Sequence, residues 1–342
     1  MASFESICVQ EVTDPRTTKP HILPLYLTSS FEFESIDQGM RIFSKEEKGH
    51  VYSRYGNPTV EAVAAKITQL ESYDLEEAVH GILFSSGMAA LHTLVLSMLQ
   101  SGQSILTQGN LYGGSTELLV KVCARSGIRT LMTDLTDLQS VETILATDDT
   151  IGLVFFESPA NPTLACIDME GLVEVARRHG VRTAVDNTFP TPYLQRPFNY
   201  GVDVILHSTT KYLNGHGNSI AGALVGRDVE FMQTRVWETM KLTGTSPGPM
   251  DAWLVHQGMK TLPLRMDRHC ANALALAEHL EQHTGVLNVN YCGLPSHPHY
   301  HIARRQMSGF GGMLSFEVKG GLEAGIRFMR NVQLCRLAPT LG

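Results

Sequence analysis

Short apolar runs alternate with amphipathic stretches between residues 80 and 230, and this alternation dominates the chain. The runs are almost continuous in apolar side chains, as is typical of strands that are buried on both faces of a sheet. Strands that alternate with helices predict an α/β architecture with a mostly parallel sheet. We predict strands at 81–84, 104–107, 130–133, 151–156, 183–185, 202–206 and 223–225, and helices at 88–100, 114–126, 137–146 and 169–179.

The pattern is weaker near the start of the chain. Residues 1–60 have little periodicity and contain several prolines, which indicates an extended arm more than a folded unit. A helical pattern begins after Thr59, which we expect to be the N-cap, with Glu61 in the first turn. We therefore predict that the arm ends where the first long helix begins.

The pattern changes again in the last third of the chain. Residues 226–262 are helical apart from a break rich in Gly and Pro, and 264–283 has the pattern of one amphipathic helix. Strands predicted at 286–291 and 313–318 bracket a loop, so this region is α+β. The predicted segments are an N-terminal arm at 1–60, a large domain at 61–250 and a smaller α+β domain at 251–342.

The composition is that of an ordinary globular protein. Of the 342 residues, 43% are hydrophobic and 18% are charged, and the formal net charge of −7 lacks the basic surplus of nucleic-acid-binding proteins. No apolar run approaches ~18 residues, so we expect no membrane span. The start of the chain has no basic region followed by an apolar block, so we expect no secretory signal. The six cysteines form no Cys-x-x-Cys pair, which is typical of reduced thiols and predicts a cytoplasmic location.

Candidate chemistry follows three of the predicted strands, at the ends where α/β sheets bind ligands. The segment 85–90 is either a capped tight turn or an anion site at a helix N-terminus. Asp186 is either a turn cap or a carboxylate for a metal, a ribose or a protonated ring nitrogen. Lys211 follows Ser208 and Thr210 and either extends to the surface or acts as a desolvated amine nucleophile.

Together these three strand ends are more informative than any one of them. They offer a phosphate cradle, a carboxylate and an amine that can form a Schiff base, which are the parts that pyridoxal 5′-phosphate (PLP) requires. A nicotinamide-dependent oxidoreductase is the competing α/β enzyme, but the Gly215-x-Gly217 segment does not continue as its glycine fingerprint. We therefore predict a PLP site.

The motifs of the chain resemble the family of PLP enzymes that act in Cys/Met metabolism. The resemblance runs from about Ile22 to the last residue. The segments that carry it are Tyr52-Ser-Arg54, Asn57-Pro-Thr59, Ser86-Gly-Met-Ala-Ala90, Tyr112-Gly-Gly114, Glu157-Ser-Pro-Ala-Asn-Pro162, Val185-Asp-Asn-Thr188, Ser208-Thr-Thr-Lys-Tyr212, Gly215-His-Gly217 and Gly258–Met266. The resemblance implies a PLP-dependent transferase of fold type I, with a mostly parallel sheet in the large domain and a smaller α+β C-terminal domain.

The resemblance also implies the site residues. Lys211 is expected to carry the cofactor and to move protons, with Tyr112 as the second catalytic residue, stacked on the cofactor ring. Asp186 is expected to pair with the ring nitrogen, and Thr340 to lie at the substrate. The expected contacts of the cofactor are completed by Gly87, Met88, Ser208 and Thr210 at the phosphate, Asn161 near the phenolic oxygen or the substrate, and Tyr52 and Arg54 from a neighbouring subunit.

By this resemblance the enzyme is a homo-oligomer with shared sites, a dimer or tetramer, and acts on a small amino acid. The expected reaction is γ-elimination from methionine or cystathionine, which gives a 2-oxo acid, ammonia and a thiol. The alternatives are γ-replacement on an O-acylhomoserine and a non-catalytic PLP-binding homologue. Gly114 stands where methionine γ-lyases typically have Cys, and the Glu that γ-specific cystathionine enzymes place before their Ser-Leu-Gly motif is absent.

Two further features complete the sequence picture. His297, His299 and His301 alternate along one segment near Cys292, but we interpret this as an incidental surface loop and predict no metal site. The chain stops at Thr340-Leu-Gly342, whereas family members continue beyond this point. We therefore expect a truncated small domain that lacks the arginine for the substrate carboxylate.

Overall fold

The computed structural model describes residues 3–10 and 20–342. Within these residues, nine strands form a seven-stranded sheet and a two-stranded sheet. The strands are β1 (His80–Phe84), β2 (Ser104–Gln108), β3 (Arg129–Thr133), β4 (Ile151–Glu157), β5 (Arg182–Asp186), β6 (Val204–His207), β7 (Gly222–Gly226), β8 (Val286–Asn290) and β9 (Ser315–Val318). All nine overlap the strands predicted from the apolar runs.

The helices cover both faces of the large sheet and continue into the C-terminal region. They are α1 (Phe4–Val9), α2 (Ile36–Phe43), α3 (Pro58–Glu71), α4 (Gly87–Met98), α5 (Gly113–Glu117), α6 (Leu138–Thr147), α7 (Met169–Arg178), α8 (Thr191–Leu194), α9 (Val229–Phe231), α10 (Trp237–Thr243), α11 (Pro249–Met259), α12 (Leu262–Glu281), α13 (Tyr300–Gln306) and α14 (Gly321–Asn331). Short π-helical segments at Leu118–Val122 and Met232–Val236 and 3₁₀ turns at Cys123–Ser126 and Pro197–Tyr200 extend some of them.

The large sheet has the strand order β1-β7-β6-β5-β4-β2-β3, and β7 alone of these strands runs antiparallel to its neighbours. The mostly parallel sheet is therefore confirmed. Because β7 opposes both β1 and β6, these two strands run in the same direction. The carboxyl ends of β1, β2, β4, β5 and β6 consequently meet at one edge of the sheet, where ligands of such folds bind.

The sheet separates two apolar cores, which explains why its strands lack polar alternation. On β4, Val154 and Phe156 face the core that includes α3 and α7, while Leu153 and Phe155 face the core that includes α4. All four side chains are completely buried. Successive side chains of a strand point to opposite faces, so both positions of the repeat are apolar here.

The N-terminal region departs from the prediction in two ways. The arm is not uniformly extended: α1 packs on α3 through buried Phe4 and Cys8, and α2 forms a second short helix. The N-cap of α3 is Asn57, not Thr59, and its side chain accepts the Thr59 N–H at 3.0 Å. Pro58 at N1 begins the helix because its fixed φ suits that position and its missing N–H costs nothing there.

The C-terminal region holds the two-stranded antiparallel sheet of β8 and β9, packed against α12. The loop predicted between these strands contains α13, and α14 follows β9 without a predicted counterpart. The proposed division into an arm and two domains stays a prediction. Within the described residues, no helix combines the length and apolar character that crossing a membrane requires.

Candidate active site

A cavity of about 510 Å³ opens at the carboxyl-terminal edge of the large sheet. Nine of the residues predicted for the site line it: Gly87, Met88, Tyr112, Asn161, Asp186, Ser208, Thr210, Lys211 and Thr340. They come from the ends of β1, β2, β4, β5 and β6 and from the C-terminal segment, so the topology brings together what the sequence separates by up to 253 positions (340 − 87).

One end of the cavity is formed by the start of α4. Ser86 is the N-cap of this 12-residue helix, and its hydroxyl accepts the Ala89 N–H at 3.0 Å. The backbone here is crowded: a Cβ on Gly87 would lie 2.9 Å from Ser208 Cβ, and one on Gly222 would lie 2.6 Å from Gly87 N. Only glycines allow these approaches, which leave the N-terminal N–H groups of the helix facing a space suited to an anion.

Asp186 ends β5 and forms part of the cavity wall. Its Oδ1 accepts the Thr188 N–H at 3.0 Å, and the Thr188 hydroxyl accepts the Ser208 N–H at 2.8 Å. Burial raises the pKa of Asp186, while the hydrogen bonds from Thr188 and the nearby His207 act in the opposite direction. A cationic ring nitrogen beside this carboxylate would offset the cost of its burial.

Lys211 lines the same cavity, one turn after β6. Its Nζ donates to Thr340 Oγ1 at 3.2 Å, so the C-terminal segment reaches the amine that the sequence predicted as the cofactor-binding group. Desolvation lowers the pKa of Lys211, which increases the fraction of neutral, nucleophilic amine.

The Tyr112 ring lies close to Gly114, the second of the two glycines that follow it. Tyr112 precedes α5, and 54% of its side chain is exposed toward the open cavity. A Cβ on Gly114 would lie 2.5 Å from Tyr112 Cε1, so this ring occupies space that a side chain at position 114 would need. Asn161 faces the cavity from the loop that follows β4.

Tyr52 and Arg54 do not line this cavity. The Arg54 guanidinium donates to the Lys241 carbonyl and lies 4.9 Å from the centre of the Tyr55 ring. Tyr52 is exposed on the arm. The chain's own fold therefore does not bring these two residues to the site, and their action on a neighbouring subunit stays a prediction.

Sequence reasoning assigned no role to Glu157, which also lines the cavity. It ends β4 beside Asp186 of β5, and only 6% of it is exposed. Burial and the Asp186 charge raise the pKa of Glu157 to about 8. The available signal was a carboxylate at the end of an otherwise apolar strand, the same signal that identified Asp186.

The interpretation of the histidine segment as a surface loop is wrong for His297, which is buried. Its Nε2 lies 3.3 Å from the Thr163 carbonyl, and the ring of His299 accepts the Cys166 N–H at 3.1 Å. The two rings therefore join the C-terminal region to the loop after β4. Among the residues that the structure covers, no group of three or more His, Cys, Asp or Glu side chains forms a metal-binding arrangement.

The side chains and close backbone approaches at this edge fit PLP. A helix N-terminus with hydroxyls can take a phosphate, Asp186 can hold a ring nitrogen, and Lys211 can bond an aldehyde. These features, on a mostly parallel sheet, define a PLP-dependent enzyme of fold type I.

The comparisons with known proteins then identify the family. Residues 5–342 match the model of the Cys/Met metabolism PLP-dependent enzymes, and the chain belongs to this family. An L-methionine gamma-lyase of Fusobacterium nucleatum is 41% identical over 321 residues, 94% of this chain and 80% of that enzyme. An O-succinylhomoserine sulfhydrylase of Pseudomonas aeruginosa is 38% identical over 341 residues, 100% of this chain and 82% of that enzyme.

A solved structure from Campylobacter jejuni supports the cofactor directly. It superimposes with a TM-score of 0.93 at 30% identity, covering 99% of this chain and 91% of that one, and it contains a pyridoxyl-lysine 5′-monophosphate. The family, the fold class and the PLP cofactor predicted from the sequence are thus confirmed.

Proposed function

We propose that the protein catalyses γ-elimination from a sulfur amino acid, methionine or cystathionine, and releases a 2-oxo acid, ammonia and a thiol. The observation that carries this proposal is the placement of the Lys211 amine and the Tyr112 ring in one cavity with Asp186. The identity of 41% to an L-methionine gamma-lyase favours elimination as the outcome.

Bound PLP supplies an electron-withdrawing ring that accepts the electrons released when a proton leaves the substrate Cα. Asp186 holds the proton on the ring nitrogen, and Gly87, Met88, Ser208 and Thr210 bind the phosphate. The Thr210 hydroxyl now donates its proton to the Ala221 carbonyl and accepts the Ala221 N–H, both at 3.2 Å, so binding a phosphate oxygen requires that proton to turn away from Ala221.

Lys211 is the base and acid of the proposed reaction. Its lowered pKa makes the neutral amine available to take a proton at Cα and to return one at a neighbouring carbon. Thr340 is the hydrogen-bond acceptor that holds Nζ when the amine is not otherwise engaged. In this proposal Tyr112 gives a proton to the leaving thiol and Asn161 binds the substrate carboxylate or the phenolic oxygen, and both residues line the cavity.

The test of the reaction is a substrate panel with the full chain and added PLP. We expect 2-oxo acid and ammonia from methionine or cystathionine at a rate well above that from cysteine. Lys211→Arg, which keeps the positive charge but not a usable amine, is the matched control and is expected to release neither product. Release of 2-oxo acid by this variant at the wild-type rate would contradict the assigned role of Lys211.

A second candidate is γ-replacement, in which a thiol forms a bond to Cγ of an O-acylhomoserine and the acyloxy group leaves as the carboxylic acid. It is favoured by Gly114, which lacks the side chain typical of methionine γ-lyases, and by the match of the whole chain to a sulfhydrylase. Adding an O-acylhomoserine together with a thiol to this panel separates the candidates, because replacement gives a new thioether and no 2-oxo acid. Thioether formation without ammonia would establish this reading in place of elimination.

We further propose a homo-oligomer in which Tyr52 and Arg54 complete the site of a neighbouring subunit. Neither lines its own cavity, and the arm exposes apolar side chains, with Ile36 83% and Phe43 63% accessible. Mixing inactive Lys211→Ala and Arg54→Ala chains should restore roughly a quarter of the activity through mixed dimers. No recovery after verified subunit exchange would refute sharing.

The proposed location is the cytoplasm. All six cysteines are free thiols, and four of them are buried. A chain with this cysteine usage suits a reducing compartment.

A further inference from the structure

Glu157 is a buried acid in the wall of the cavity, and the proposed reaction does not use this acid. Its Oε1 accepts the Tyr112 N–H at 2.7 Å, and its carboxyl also accepts the N–H of Asn161. These two donors belong to different loops, one after β2 and one after β4. Glu157 therefore joins the backbones of two residues whose side chains face the cofactor space.

Among the described residues, Glu157 is the side chain that accepts the Tyr112 N–H. It occupies the N-cap position of α5, but its own side chain makes no capping hydrogen bond, and α5 is only five residues long. The ring is half exposed and rests over Gly114, where no side chain supports it from below. The position of the ring thus depends on where the Tyr112 backbone is held.

We propose that Glu157 is a positioning residue that sets the Tyr112 ring, and with it the Asn161 amide, against the bound cofactor by accepting both backbone N–H groups. The inference rests on the assignment of the cofactor and not on the choice between elimination and replacement. Glu157 holds the two N–H groups as a hydrogen-bond acceptor, and this role does not require a negative charge on its carboxyl group.

The neighbouring groups agree with a neutral acid. Asp186 on β5 is the ionisable group that faces Glu157 most closely, and it in turn is surrounded by Thr188 donors and His207. Burial and this neighbour raise the pKa of Glu157 to about 8, so the protonated form predominates at pH 7. A glutamine at 157 would keep both the acceptor and the absence of charge.

The test compares Glu157→Gln with Glu157→Leu in the full chain. PLP affinity is measured by quenching of protein fluorescence, and ring orientation by the induced circular dichroism of the bound cofactor near ~420 nm. We expect the Gln variant to match wild type in both. The Leu variant should bind PLP about three- to tenfold more weakly, the worth of one lost aromatic contact, and show a reduced dichroic band.

Two further variants separate positioning from a general loss of stability. Thr107→Val removes one buried hydrogen bond, from Thr107 Oγ1 to the Phe155 carbonyl at 2.7 Å, without touching either loop. It should lower the melting temperature of the apoprotein but leave the dichroic band unchanged. In a Tyr112→Ala background, Glu157→Leu should weaken PLP binding by less than twofold beyond the single variant, because the ring is already gone.

The outcomes are distinct. Wild-type affinity and dichroism in Glu157→Leu, an additive loss in the double variant, or a Gln variant as impaired as the Leu variant would each overturn the proposal. None of these measurements needs an amino-acid substrate. If PLP binds as expected but no substrate reacts, the proposed function fails while the role of Glu157 stands.

Discussion

The contact between β7 and the start of α4 gives a sharp test of the phosphate cradle. Gly222 lies against the backbone where the loop after β1 enters α4, and a Cβ on Gly222 would fall 2.5 Å from Ser86 C and 2.6 Å from Gly87 N. The nearest atom is Ser86 O at 2.3 Å, and ordinary contact begins at 3.4 Å, so Gly222→Ala must separate the new Cβ from Ser86 O by about 1.1 Å (3.4 − 2.3) and from Gly87 N by about 0.8 Å (3.4 − 2.6). The displaced atoms include an N–H group that we assign to the phosphate.

The expected cost follows from the kind of atoms in contact. Overpacking of a dense site costs about 1–3 kcal/mol, and here it cannot be relieved by rotating a side chain because the atoms are backbone. If this cost falls on the cradle, Gly222→Ala should bind PLP about five- to 150-fold more weakly than wild type. The assay is a fluorescence titration of the apoprotein with PLP, with the melting temperature recorded for each variant.

Gly109→Ala is the matched control. Gly109 directly follows β2 of the large sheet, just as Gly222 begins β7, but a Cβ on Gly109 meets nothing within 4 Å, so the PLP affinity of Gly109→Ala should be unchanged. Equal affinity of Gly222→Ala and wild type, with equal melting temperatures, would refute the argument that this approach of backbones forms the cradle. A lower melting temperature of Gly222→Ala with unchanged PLP affinity would place the strain elsewhere in the sheet, and it would also refute this argument about the cradle.

Three further predictions concern buried ionisable groups and the amine. The pKa of Glu157 in the folded chain, about 8, lies above its ordinary value of 4.5, so its contribution to stability is present at low pH and is lost as the pH rises through 8. The urea midpoint of the apoprotein should therefore fall between pH 5 and pH 9 more steeply than that of Glu157→Gln. Parallel curves for the two proteins would contradict this. Glu71 accepts hydrogen bonds from the buried His207 ring at 2.5 Å and from Asn187 at 2.9 Å. Glu71→Leu should therefore lower the free energy of unfolding by about 3–5 kcal/mol. Glu71→Gln keeps the acceptor Oε1 and should lower the free energy of unfolding clearly less in the same urea assay. Lys211→Ala should abolish turnover but still bind PLP through the remaining contacts, as equilibrium dialysis can measure; a variant that binds no PLP would show that the rest of the cradle contributes little.

The sequence predicted the large sheet well because its strands carry their own signal. The run from Ile151 to Phe156 is apolar at every position but one, since both faces of β4 are covered, and no neighbouring element is needed to recognise it. The short N-terminal helix α1 is different. Six residues do not form a stable helix alone, and Phe4 and Cys8 hold it only because α3 provides the surface on which they are buried.

The site was predictable to the extent that its residues follow strands. Lys211 and Asp186 stand at strand ends, and parallel strands bring such ends together whatever the details of packing. Tyr52 and Arg54 cannot be tested in this way, because a site shared between subunits is a property of two chains. The contact of Thr340 with Lys211 was also beyond local reasoning, since 129 positions separate the two residues.

The two carboxyls at the ends of β4 and β5 illustrate what only the assembled structure can decide. From the sequence, Glu157 and Asp186 are equivalent, each an acid that closes an apolar strand. In the sheet they are register partners, and two adjacent buried carboxylates cannot both ionise cheaply. Asp186 receives the hydroxyl and the N–H of Thr188 and faces His207, whereas Glu157 receives only backbone donors. The charge therefore belongs on Asp186, where a cationic ring nitrogen can meet it, and Glu157 is left as a neutral acid whose remaining use is to hold the two loops beside it.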